Sequence, residues 1–332
     1  MKINKYCEEM HARIWDDFVL NESINGTFLQ TRNFLSYHPE GRFFDLSFVI
    51  TDDKSNALLA VVPGCVVIDG GLKIYYSHKG STYGGIIVSR NVFRASYIME
   101  LIDLVEKTLV DENFDKVVFK LTPSIFSSAK SDLLEYCFSY NRYQLLSELS
   151  TYIDIANYDS DIMSNFNQMK RRTVKKCIKE NLKFKILTNE NELSDFYQLL
   201  CKNLAKYNAK PVHTFSEISD FIRNRLIYNV RLYGVYQGEL LVAGTMVFLF
   251  PERKAIHTQY LASEQELSKL SPMSFLFYNL IIETKKLDYL YLSWGISTEK
   301  HGAYLNLPLI TSKEGFGSSY SLNRTFIKEL RK

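Results

Sequence analysis

The chain has 332 residues, with 40 Lys and Arg against 37 Asp and Glu, 46% hydrophobic residues, 15 Gly and 7 Pro, a globular composition long enough for a large core or two domains. That balance excludes disorder and fibrous structure, and a formal net charge of +3 is too small for a surface devoted to nucleic-acid phosphates, so DNA is not an expected partner. The longest apolar runs, Ala57 to Pro63 and Phe275 to Ile282, fall short of the roughly 20 residues of a membrane span, and Met1 to Ile14 has no signal-type apolar core; the expected location is the cytoplasm.

In chain order, the first half reads as a helix around Tyr6 to Leu20 and then strands at Phe44 to Ile50, Leu58 to Ile68 and Leu72 to Ser77, rich in β-branched and aromatic residues and punctuated by Asp52-Asp53, Gly64 and Gly70-Gly71. A loop from His78 to Gly85, a short strand Ile86 to Val88, a helix from Val92 to Leu109 and a buried strand Lys116 to Leu121 complete it. Between the halves, Ile162, Phe166, Met169, Thr173 and Cys177 recur every three or four residues as one buried helical face. The opposite side of this helix, placed at 160–182, carries Lys170, Arg171, Arg172, Lys175, Lys176 and Lys179. Helices at Leu193 to Tyr207 and Phe215 to Tyr228 lead into the second half.

There the same order returns: a hairpin Val230 to Val235 and Leu240 to Phe250 about Gln237-Gly238, a strand Ala255 to Ala262, a helix Met273 to Lys285 just after Pro272, and a strand Tyr289 to Ser293. Leu59 with Leu241, His78 with His257, and Asp115 with Asp288 keep a nearly constant offset. The pattern is that of one α/β domain duplicated, with boundaries at 1–155 and 156–332. Duplication within one chain replaces a dimer of single domains, and a monomer is expected.

Five cysteines, Cys7, Cys65, Cys137, Cys177 and Cys201, form no C-x-x-C pair, and H-E-x-x-H, EF-hand and Walker patterns are absent. No metal site is therefore expected. No G-x-S-x-G elbow occurs, and the close Cys7/His11 pair lies away from every other motif, so direct attack on a carbonyl is simpler than covalent catalysis.

The tandem α/β order, the connecting Lys-Arg-Arg, and a tail reading Gly295-Ile-Ser-Thr-x-x-x-Gly302-x-x-Leu-Asn306-x-x-Leu-x-x-x-Lys313-Glu-Gly-Phe-Gly317 resemble the FemAB-like branch of the GNAT acyltransferase superfamily. Phe28-Leu-Gln-Thr31, Ser77-His78 through Thr82-Tyr83-Gly84-Gly85, Lys210-Pro-Val-His213 and Ile256-His-Thr-Gln-Tyr260 add to the likeness, which covers most of the chain. The resemblance implies two tandem GNAT-like domains, each a mixed, mostly antiparallel sheet flanked by helices. It also implies transfer of an acyl or aminoacyl group to an amine of a cell-envelope precursor, in polysaccharide or peptidoglycan biosynthesis. Superfamily members that use acyl-CoA cradle its pyrophosphate on a glycine-rich helix start. Here the matching stretch, Ser263 to Ser271, contains no glycine.

Amide formation needs a neutral amine, a carbonyl in line with it, and donors aimed at the oxyanion. Lys313 matches the lysine that FemAB-like proteins place before a Phe near their C-terminus, and its charge suits an oxyanion or a donor phosphate; without the motif it reads as a solvated lysine. His257 and Gln259 share a strand face, where His257 can take the amine proton and Gln259 can contact substrate, or both can be core groups satisfied by neighbours. Tyr260 points the other way and packs, unless a bulge redirects it to the substrate. Glu299 and Glu314 are alternative general bases that compete with capping or solvated roles. Ser297 and Thr298 follow the closing strand at its carboxyl end, where open α/β sheets expose ligand contacts. Asn306 is a candidate acceptor contact or a turn residue near Pro308. In the first half, His78, Lys79, Tyr83, Gly84 and Gly85 occupy the analogous position, where the glycines admit a sugar or phosphate or serve a loop that needs positive φ; on the connecting helix, Lys170, Arg171 and Arg172 can grip phosphate oxygens or form a solvated face. His213 enters through its motif as a substrate-binding candidate.

Three readings stay open. The first is an N-acyltransferase moving an acyl group from acyl-CoA or a similar donor to an amino group of a small-molecule precursor such as a nucleotide-linked amino sugar. The second is an aminoacyl-tRNA-dependent transferase acting on a lipid-linked peptidoglycan precursor, which the missing glycine loop favours and the lack of a long heptad arm opposes. The third is a non-catalytic sugar or nucleotide binder with a degenerate donor site. In each, the acyl-CoA or aminoacyl-tRNA is a co-substrate, and no tightly bound cofactor is expected.

Overall fold

A computed structural model describes all residues except 40, 129, 207 and 332. The chain divides into two compact units: Met1–Glu148 with Lys300–Ala303 and Leu322–Lys332, and Leu149–Glu299 with Tyr304–Ser321. The sequence boundary at 155/156 assigns the chain's end to the second domain, whereas residues 325–329 pair antiparallel with Lys116–Lys120 of the first unit.

In the first unit, the run Leu58 to Ile68 divides at Pro63-Gly64 into strands Leu58–Val62 and Cys65–Asp69, which enter different sheets. Gly64 passes so close to Tyr75 that a Cβ would fall 2.1 Å from the phenol oxygen, so only glycine fits. Strands Cys65–Asp69 and Leu72–Tyr76 form an antiparallel hairpin, and Leu72–Tyr76 runs parallel to Lys116–Lys120. The connecting helix Ala95–Asp111 buries Ile98, Leu101, Ile102, Val105 and Leu109 against the sheet, a stripe at helical spacing.

The second unit's sheet runs in the order Lys183–Ile186, Val230–Gln237, Leu240–Phe250, Ala255–Ser263, Tyr291–Ile296 and residues 150–154, antiparallel except where residues 255–257 run parallel to residues 291–293. One face is covered by helix Pro272–Lys286, which packs Leu276, Leu280 and Ile281 into the core, and the other by helix Glu190–Ala205. Glu190–Ala205 starts at a reciprocal capping box of Asn189 and Glu192, earlier than the apolar pattern indicates. Its expected end at Tyr207 lies outside the described residues.

The basic helix is shorter than 160–182: it spans Gln168–Lys179, preceded by a single 3-10 turn Ile162–Asn165. Asn167 caps it by accepting from Lys170 N–H at 2.9 Å, which starts the helix there and rotates the expected face. Lys170, Val174 and Cys177 are its buried residues, and Met169 is 61% exposed. The predicted helix Phe215 to Tyr228 is Phe215–Asp220 followed by a wider turn over Phe221–Arg225.

Candidate functional site

The two parallel strands of the second unit stay paired only from Ala255 with Tyr291 to His257 with Ser293. Beyond that point no pairing joins them among the described residues. On its other edge, strand Ala255–Ser263 pairs Thr258 with Val247 and Tyr260 with Met246, leaving Gln259 as an extra residue. This β-bulge shifts the alternation, so Tyr260 joins His257 on one face instead of pointing the other way. Gln259 itself is half-buried.

The opening between the strands collects four buried polar side chains, His257, Ser293, Ser297 and Lys313. His257 is 7% exposed, with Nδ1 3.0 Å from the Ser293 hydroxyl; burial, with the nearby Lys313 charge, pushes its pKa down to about 4. Lys313, 5% exposed on helix Leu307–Glu314, donates to the Gly295 and Ile296 carbonyls and to Ser297 Oγ, each at 2.9 Å. Burial lowers its pKa to about 8 because an ammonium leaves water for acceptors that carry no compensating charge. All three ammonium protons are taken within the protein, so in this conformation Lys313 has no free donor for a phosphate, and its charge reaches its surroundings only as a field.

Ser297 is fully buried, donates its N–H to Leu149 O at 2.7 Å and accepts Asn306 N–H at 2.9 Å. Thr298 Oγ1 is buried with no hydrogen-bond partner among the described residues. Glu299 and Glu314 are exposed, and among the described residues neither carboxylate forms an ion pair with Lys313: Glu299 accepts from Asn306 Nδ2 at 2.9 Å, and Glu314 from Tyr320 OH at 2.8 Å. Asn306 also caps the lysine helix, accepting from Leu309 N–H at 3.1 Å, so its side chain does the local work that its place before Pro308 suggests.

His213 Nδ1 lies 2.6 Å from Tyr260 OH, and His213 N–H reaches the same oxygen at 3.3 Å. Burial raises the Tyr260 phenol to about 12. The pair ties the segment around Lys210-Pro-Val-His213 to the bulge. On the basic helix, Arg171 is half-buried and reaches Ser164 O at 3.4 Å, and Arg172 is exposed. Lys170 instead turns inward, bonding Ser312 Oγ at 2.9 Å and lying 4.6 Å over the Phe316 ring.

His78 and Tyr83 lie in the first unit. The His78 Nε2 is 3.5 Å from Asp45 Oδ2, and Gly80 N–H donates to its Nδ1 at 3.3 Å. Burial alone would raise the Asp45 pKa, but His78 and Arg32 overcome it and hold the carboxyl at about 2. Tyr83 is buried against Phe126.

Sequence reasoning missed Ser293, and it set Lys170 on the exposed side of the basic helix, whereas Lys170 is buried. A serine inside the apolar strand Tyr-Leu-Ser-Trp is a polar group that must find a partner when buried, and this was the available signal. The inward turn of Lys170 had no such signal, because a lysine in a basic run reads as solvated. Among the described residues, no three His, Cys, Asp or Glu side chains converge as a metal site, and no helix is long and apolar enough to cross a membrane.

No protein-family model matches the sequence, and a sequence search of curated proteins finds no match. Comparison of the fold does find relatives. FemX matches with a TM-score of 0.68 at 12% identity, covering 98% of this chain and 97% of the other. L-PGS from Bacillus licheniformis matches at 0.58 and 12%, covering 85% and 83%. A tandem GNAT protein from the clavulanic acid biosynthesis pathway matches at 0.58 and 9%, covering 100% and 99%. The chain therefore has the tandem GNAT fold, a mixed α/β architecture with mostly antiparallel sheets and flanking helices. At this level of identity the likeness fixes the fold and leaves the chemistry to the residues.

Proposed function

We propose that the second unit transfers an acyl or aminoacyl group from an activated ester or thioester to an amino group of a cell-envelope precursor, such as a nucleotide-linked amino sugar. The observation that carries this reading is the opening beside the Gln259 bulge, with His257, Ser297 and Lys313 gathered at one end. A donor carbonyl laid between the splayed strands meets strand backbone that is not committed to a neighbouring strand. His257, neutral at pH 7 with a pKa of about 4, takes the proton that the attacking amine loses as the C–N bond forms. The Lys313 charge stabilises the tetrahedral oxyanion, and the donor's alcohol or thiol leaves with a proton.

One observation favours an ester borne on a polyanion, such as an aminoacyl-tRNA, over acyl-CoA. At the start of helix Pro272–Lys286, Pro272 has no N–H, Ser271 N–H bonds Leu267 and Ser268 carbonyls, and Ser274 N–H bonds Ser271 O at 2.9 Å. With Pro272 lacking an N–H and Ser271 and Ser274 engaged, the helix start offers no consecutive run of free N–H groups to cradle a pyrophosphate. Cys177 and Lys176 of the basic helix hold the carbonyls of Leu270 and Lys269 in the same loop, while Arg172, Lys175 and Lys179 face solvent. The test is transfer of radiolabel to amino-sugar and muropeptide acceptors from acetyl-CoA and from charged tRNA in parallel. The reading expects label from tRNA and its loss in Lys313→Ala; turnover with acetyl-CoA alone would reverse the donor assignment, and turnover with neither donor would remove the transferase.

A further inference from the structure

The parallel ladders of the two units align residue by residue: Ile74, Tyr75 and Tyr76 against Lys116, Val117 and Val118 in the first, and Ala255, Ile256 and His257 against Tyr291, Leu292 and Ser293 in the second. Tyr75 and Ile256 both face the helix-covered core, so the alignment preserves faces as well as order. It sets Tyr76, and not His78, on the position of His257. Lys116 and Lys120 then stand where the second unit has Tyr291 and Gly295.

In the second unit the His257 face is covered by helix Glu190–Ala205, whose Phe196 lies so near Gly244 that a Cβ there would meet it at 2.7 Å. In the first unit the same face opens on a cavity of about 420 Å³. Ile74, Val118 and Ile327 form its apolar floor and Tyr76 part of its wall. Lys79, Lys116 and Lys120 line it together with Glu148, with Asp69 also present. Lys116 is tied to Glu329 at 3.0 Å, but Lys120 lies 3.9 Å from Glu148, beyond hydrogen-bond length. Lys79 is exposed, its backbone N–H held by Cys65 Sγ at 3.3 Å, and no ion pair of its ammonium occurs among the described residues.

The strand opening of the second unit has no counterpart here. Lys120 N–H donates to Ser77 Oγ and Gly84 N–H to Lys120 O, both at 2.8 Å, and Gly84 bridges to Leu121 in parallel. The first copy thus closes the gap between its parallel strands while keeping the face that the second covers, and it places cations around that face.

We propose that this cavity binds a small molecule bearing a phosphate or carboxylate on an apolar or ring-shaped body. Lys79 and Lys120 supply donors for the anion, and the aliphatic floor with Tyr76 takes the body. Glu148 and Asp69 accept from hydroxyl or ammonium groups on the same ligand, which selects against simple anions. This is a binding site in the first unit and does not depend on the transfer reading.

Isothermal titration of the intact protein with glucosamine 6-phosphate, uridine diphosphate, glucuronate and inorganic phosphate tests it. At least one ring-bearing anion should bind saturably, and the pattern across the first three distinguishes phosphate from carboxylate ligands. Lys79→Ala and Lys120→Ala should each weaken binding about tenfold, whereas Lys107→Ala, exposed on helix Ala95–Asp111, should leave it unchanged. The melting temperature of each variant verifies its fold. Saturation by none of the ring-bearing probes, binding of inorganic phosphate as tight as theirs, or binding that survives both lysine substitutions would overturn the proposal.

Discussion

Lys313 is a buried ammonium whose neighbours are carbonyls and a hydroxyl, and the resulting depression of its pKa makes a quantitative claim about stability. A fall from the ordinary 10.5 to about 8 corresponds to about 3 kcal/mol at about 1.4 kcal/mol per pH unit. Below pH 8 the folded and unfolded chains both hold the proton and the folded state bears the whole cost. Between pH 8 and 10.5 the folded state releases the proton while the unfolded chain keeps it, so stability rises with pH; above 10.5 the cost is gone. Lys313→Met keeps the length of the side chain and abolishes this titration. It also leaves the Gly295 and Ile296 carbonyls and the Ser297 hydroxyl without their donor, at about 1 kcal/mol each. At pH 7 the two effects nearly cancel, and the variant should match the parent within about 1 to 2 kcal/mol.

The informative quantity is the difference between parent and variant as pH changes, because titrations common to both cancel. Urea unfolding followed by Trp fluorescence at pH 8 and 9.5 should show the parent gaining about 2 kcal/mol relative to Lys313→Met. A difference that stays flat within about 0.5 kcal/mol, well under the expected gain, would refute the claim that Lys313 is a desolvated, uncompensated cation, and with it the electrostatic role assigned to it.

The same titration predicts the pH dependence of turnover. The rate should fall as pH rises through about 8, where Lys313 loses its charge, and as pH falls through about 4, where His257 gains a proton; a rate that climbs through pH 9 would make the neutral lysine the active form. His257→Ala should lower turnover about 10²- to 10⁴-fold, with circular dichroism reporting an intact fold, and an unchanged rate would remove it as the proton acceptor. Replacing Arg172, Lys175 and Lys179 with Ala should leave stability within about 0.5 kcal/mol while flattening the dependence of tRNA affinity on salt, measured by filter binding; an unaltered slope would leave the helix a solvated face. Tyr260→Phe removes the hydroxyl shared by the His213 ring and backbone and should cost about 1 to 3 kcal/mol in thermal unfolding.

The second sheet was legible because its strands are runs of β-branched and aromatic residues around Gln237-Gly238, and Pro272 announces the helix that follows. Helix Leu307–Glu314 was not, since Leu307 and Leu309 are exposed and only Ile310 and Lys313 are buried: it has no apolar stripe for a periodicity argument to find. The strands Gln144–Asp154 and Ser319–Glu329 are likewise polar along much of their length, and their pairing partners define them. The basic helix was misplaced for a related reason. Phe166 is buried at helical spacing, yet its backbone is extended, and the Asn167 cap decides where the helix begins.

The site divides along the same line. Lys313 and Ser297 were reached through a motif and His257 through the oddity of polar residues in an apolar strand, and all are properties of residue type. What makes them a site is a matter of register: one unpaired residue at Gln259 brings Tyr260 to the face of His257, and the parallel pairing stops after Ser293. Neither is encoded by composition or period within the strand, because a bulge exists only relative to the strand opposite. Residue 74 can be matched to residue 255 only once both ladders are known. That match moves the first-unit counterpart of His257 from His78 to Tyr76, and it turns attention from a buried histidine, engaged at both ring nitrogens, to a lysine-lined cavity.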